Sequence, residues 1–79
     1  MTYDQLSEAK DIAEKIAANG FTETSNAVRH AVDDGRSGTE IFIKLRFYLK
    51  PLLSENAIDS TTHNRIKFLL ENIEKSLSR

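Results

Sequence analysis

Cysteine and tryptophan are absent from this 79-residue chain, and proline occurs once. Without cysteine there is no disulfide framework, no thiolate zinc site and no cysteine nucleophile. That usage fits a cytoplasmic chain, the compartment expected here. No apolar run approaches the roughly 18 to 20 residues of a membrane span, and the start MTYDQLSEAK lacks the pattern of a signal peptide. No membrane partner is expected. An excess of charge of one sign is also missing, since the net charge is −1. A chain devoted to nucleic acid is usually basic overall, with a basic stripe, so direct nucleic-acid binding is not expected. The small net charge conceals an asymmetry. Residues 1–40 hold eight acids and four bases, whereas residues 41–79 hold four acids and seven bases.

What is present is helical periodicity. Four apolar patterns joined by short loops predict an all-α, compact, antiparallel four-helix bundle-like domain, with helices over about 3–18, 23–34, 38–53 and 60–77. In the first, Leu6, Ala9, Ile12, Ala13 and Ile16 share one face, and Thr2 with Gln5 forms a capping-box pattern. Asp11 and Lys15 are spaced for an ion pair, as are Glu71 and Lys75 further on. Asn19-Gly20 supplies the stop, Phe21 folds back onto the core, and Thr22 or Thr24 caps the next helix. That second helix buries Ala27, Val28, Ala31 and Val32. It ends on Asp33 and Asp34, two acids set against the helix dipole, which hints at a use other than helix stability.

The most apolar stretch is 37–53, which holds three of the six aromatic residues. Ser37 with Glu40 is a capping box that starts a third helix. Ile41, Leu45, Tyr48 and Leu52 fall on its core side. Pro51 kinks or ends it near residues 47–50, because proline removes a backbone donor and crowds the preceding turn. Asp59 or Ser60 caps the last helix, and Ile58 tucks inward. Ile43, Phe47 and Phe68 lie off the core stripes. Either neighbouring elements cover them, or they form an apolar patch in which Phe47 is an anchor with Lys44, Arg46 and Lys50 as its rim.

No catalytic set is visible. His30 and His63 are the only histidines and lie on different helices, and His30 with Asp34 is a lone i,i+4 pair. The chain reads as a non-enzyme, and no cofactor or metal is expected. Gly35-Arg36-Ser37-Gly38 lacks the lysine of a phosphate loop and reads as an interhelical turn. The second and third helices resemble a helix-turn-helix in outline, but Asp33, Asp34 and Glu40 would repel phosphates at the entry to the groove.

The run DGRSGTEIFIKLRFYL, residues 34–49, resembles a segment of the small all-helical immunity proteins of bacterial contact-dependent growth inhibition systems. The resemblance spans about residues 35–53 and is architectural elsewhere. The acidic-tyrosine signature of colicin immunity proteins is absent, and the near-neutral charge departs from the strongly acidic norm. The resemblance implies a cytoplasmic inhibitor that covers the active site of a secreted, basic nuclease toxin. Glu23, Asp33, Asp34 and Glu40 would then oppose the toxin's cationic residues, with Phe47 as an apolar contact. The alternative is a small helical regulatory or DNA-binding, antitoxin-like module.

Overall fold

The computed structural model describes residues 3–78 and measures 33 × 25 × 22 Å. Four helices follow one another: α1 (Gln5–Ala18), α2 (Thr22–Asp34), α3 (Gly38–Leu49) and α4 (Ser60–Leu77), with a 3-10 segment at Lys50–Ser54. The described residues contain no strand, and the architecture is all-α and bundle-like. Each helix packs on two others, in the cycle α1–α2–α3–α4 and back to α1. The shared core holds Ile12 and Ile16 from α1, Val28 from α2, Leu45 and Leu49 from α3, and Ile66, Leu69 and Ile73 from α4, all fully buried. Ala9 and Ala13 are also fully buried, so α1 is slim on the inner side.

The helix ends explain how the chain turns. α1 starts later than its periodicity suggests, because Asp4 is the cap: its carboxylate accepts the backbone N–H groups of Leu6 and Ser7 at 3.0 and 3.2 Å. The Thr2 cap lies outside the described residues. At the other end Gly20 takes φ +96°, while its N–H donates to the Ala17 carbonyl and that of Phe21 to Ile16. This is the Schellman arrangement, and it lays Phe21 against the core. Neither Thr22 nor Thr24 caps α2. Phe21 holds the cap position without a side-chain bond, because α2 begins at Thr22, directly after the Schellman turn over Asn19, Gly20 and Phe21.

Ser37 caps α3, accepting the Glu40 N–H at 3.1 Å. α3 stops at Leu49, and Pro51, with no N–H to continue the ladder, sits in the first turn of the 3-10 segment. Asp59 caps α4, accepting the Thr62 N–H at 3.0 Å and the Thr62 hydroxyl at 2.9 Å. Ile58 is buried beside it. Tyr48 packs against the core as expected but is only half-buried, at the seam between α3 and α2.

Two ion pairs expected along single helices do not form. Asp11 lies 3.7 Å from Arg65 on α4 rather than on Lys15, and Glu71 makes no pair with Lys75. Arg65 reaches across to α1 and donates twice to Glu8, Nε at 2.9 Å and Nη2 at 2.6 Å. That fork fixes the guanidinium between α1 and α4, where it also stands near Asp11. The hydrogen bonds from Arg65 to Glu8 raise the guanidinium pKa further above its already high value.

Candidate protein-interaction surface

The exposed large hydrophobic residues among those described are Ile43, Phe47 and Phe68, at 46%, 73% and 52% exposure. No element of the fold covers the outer side of α3. Its core side is taken by Ile41, Leu45 and Leu49, and the remaining arc faces outward. Ile43 and Phe47 stand one turn apart there, and Pro51 continues the row where the helix ends. With Arg46 and Lys50 they line an open groove of about 430 Å³. Phe47 meets Tyr48 edge to face at 5.3 Å between ring centres, a contact that holds its ring in place. Phe68 is separate: it packs edge to face on Tyr3 at 5.1 Å. The Tyr3 hydroxyl is buried without a hydrogen-bond partner, and burial raises its pKa.

A second groove, of about 270 Å³, lies between α3 and α4. Arg46 and Lys50 border both grooves, and Lys67 and Leu53 belong to the second. Glu74, on its far side, accepts from Arg46 at 3.0 Å. Lys50 and Lys67 have no ion-pair partner among the described residues.

The acidic residues singled out by the sequence sit differently. Asp33 pairs with Lys10 of α1 at 2.6 Å, Asp34 with His30 at 2.8 Å, and Glu40 with Lys44 at 3.4 Å. Glu23 has no ion-pair partner among the described residues, and Asp34 pairs with no lysine or arginine. Glu23 stands at the start of α2, some ten residues and roughly 15 Å along the axis from Asp33 and Asp34. Asp33 and Asp34 are therefore together, whereas Glu23 is not part of their group. A cleft of about 170 Å³ lined by His30, Asp34, Lys44 and Tyr48 joins that group to Lys44 and its partner Glu40. Tyr48 in turn touches Phe47. The α2–α3 edge thus runs as one surface from Asp33 to Phe47.

Sequence reasoning missed the counter-ions. The Glu40–Lys44 pair was readable from its i,i+4 spacing, but Lys10 meets Asp33 only through the packing of α1 on α2. Among the described residues no three or more His, Asp or Glu side chains converge as metal ligands. No described helix is long and apolar enough to cross a membrane. No protein-family model matches the chain, nor does any curated protein or solved structure.

Proposed function

We propose that this protein is a non-enzymatic binding module, an immunity-type inhibitor that captures a secreted nuclease toxin through the α2–α3 edge. The observation that carries the reading is the uncovered outer face of α3. A 73%-exposed phenylalanine held by a tyrosine, with an isoleucine one turn away, is a costly surface to present to water unless something docks on it. Phe47 supplies the apolar anchor, and Asp33, Asp34 and Glu40 form the border that would meet a basic active site. Glu23 would contribute only if the partner reached the far end of α2. The ion pairs of these carboxylates are solvent-exposed, so exchanging Lys10 or Lys44 for a partner's cation costs little.

The test is to mix the purified protein with the toxin domain encoded beside it and measure both complex formation and residual nuclease activity. A stoichiometric complex with protection supports the reading, and absence of both refutes it. Asp33→Lys with Asp34→Lys is expected to slow association and reduce its salt sensitivity. Affinity unchanged by that double substitution would remove the carboxylates from the interface. The antitoxin-like reading has one observation in its favour, the grouping of Arg46, Lys50 and Lys67. Gel shift with duplex DNA tests it, since phosphate-driven binding weakens steeply with salt.

A further inference from the structure

The grooves on either side of Arg46 and Lys50 differ in sign from the edge just described. The first is floored by Ile43, Phe47 and Pro51, and the only charges on it are the two cations. The second adds Lys67, and of its two acids Glu74 is already engaged by Arg46. Lys50 and Lys67 are uncompensated among the described residues, unlike Lys10 and Lys44. We propose that this furrow is a second docking site, which takes a short acidic segment of a partner protein with one large apolar side chain seated on Ile43, Phe47 and Pro51 and carboxylates against Lys50, Lys67 and Arg46. It goes beyond the inhibitor reading and shares only Phe47 with it, so Asp33→Lys with Asp34→Lys bears on that reading alone and Lys50→Glu on this one.

The occupant follows from charge complementarity and from the floor. An apolar floor with a cationic border selects a ligand that is both acidic and apolar. A nucleic acid would use the cations and could stack a base on Phe47, but the aliphatic Ile43 and Pro51 on either side of it favour an apolar side chain. A second copy of this chain would bring the same cations face to face across a two-fold axis. The geometry suits a helical segment: Ile43 to Pro51 spans about two turns, roughly 12 Å, the reach of i and i+4 or i and i+7 anchors.

An unbiased peptide display library decides the matter. Random short peptides are selected on the immobilised protein and counter-selected on the Phe47→Ser variant, and the enriched peptides are then measured by fluorescence anisotropy. Phe47 is largely exposed, so the serine variant retains the fold, which circular dichroism verifies. The expected result is enrichment of Asp and Glu around a Leu, Phe or Trp. Roughly tenfold weaker binding is expected for Lys50→Glu at low salt, with a smaller difference at high salt. Amide shifts on titration should centre on residues 43–51. Enrichment of basic or neutral peptides, no enrichment over the counter-selected variant, or shifts confined to α1 and α2 would each overturn the proposal. So would concentration-dependent dimerisation lost in Phe47→Ser, which assigns the face to a second copy. Oligonucleotide binding lost in Lys50→Glu would assign it to nucleic acid.

Discussion

Gly35 ends α2 in an ordinary extended conformation, φ −67° and ψ 139°. Alanine could adopt that backbone, and on backbone grounds alone the substitution would stabilise the protein by about 0.4–1 kcal/mol, by restricting the unfolded chain. The packing demands the opposite. A Cβ at Gly35 would collide with Cγ1 of Ile41, and would lie 2.7 Å from the Ala31 carbonyl oxygen and 2.8 Å from Ile41 Cδ1. Ile41 is 7% exposed in the first turn of α3, so it cannot swing away without leaving the core. Overpacking of this kind costs about 1–3 kcal/mol. Gly35→Ala is therefore expected to destabilise, lowering the melting temperature by roughly 5–15 °C for a domain of this size.

The cause can be isolated by a double-mutant cycle with two partners. Ile41→Ala deletes two of the three close atoms, leaving the Ala31 carbonyl, at a cost of about 2–5 kcal/mol by itself, but it should absorb much of the Gly35→Ala penalty, giving a coupling of about 1 kcal/mol. Ile41→Val removes Cδ1 yet keeps the branched carbon closest to the new methyl, so it should relieve little. Urea titrations followed at 222 nm measure all five variants. A stabilising Gly35→Ala, or additivity with Ile41→Ala, would show that the glycine is not there to admit Ile41.

Further outcomes are expected elsewhere. Lys10→Met frees the Asp33 carboxylate, so association with a basic partner should quicken at low salt; an unchanged rate by surface plasmon resonance would exclude Asp33 from the encounter. The hydrogen bonds from Thr62 hold the Asp59 carboxyl below its ordinary pKa of 3.8. A depressed folded value means that the stabilisation is complete above 3.8 and is lost as pH falls through the folded value. Asp59→Asn should therefore flatten the acid limb of the stability curve, and an unaltered limb would refute the assignment. Arg65→Met removes the fork that joins α4 to α1 and strands Glu8, at about 1–2 kcal/mol in the same urea titrations; no loss would mean that the fork contributes nothing net.

The features legible in the sequence are those decided locally. The Ser37 and Asp59 caps, the Gly20 turn, the end of α3 near Pro51 and the buried stripe Ile66–Leu69–Ile73 each follow from spacing and residue type. The cap of α2 did not follow, because the helix starts at Thr22, directly after the Schellman turn, and the cap position falls to Phe21. Exposure of Ile43, Phe47 and Phe68 could not be read either. Periodicity shows that they lie off the core face, but whether another helix covers that side depends on the cyclic packing order, which is a tertiary fact. The counter-ions of Asp33 and Asp11 fail for the same reason: Lys10 and Arg65 reach them across helices.

Those counter-ions change how the charge asymmetry of the chain should be understood. Eight acids in the first forty residues suggest a negative surface, but five of them stand within 4.0 Å of a lysine or arginine. Opposite charges so close present a weak field beyond the Debye length of about 8 Å at physiological salt. The acids therefore steer a partner less than their number implies. Substitutions at Asp33 and Asp34 should therefore change the association rate of a basic partner by less than a count of acids implies, and releasing a carboxylate from its cation should restore part of its pull.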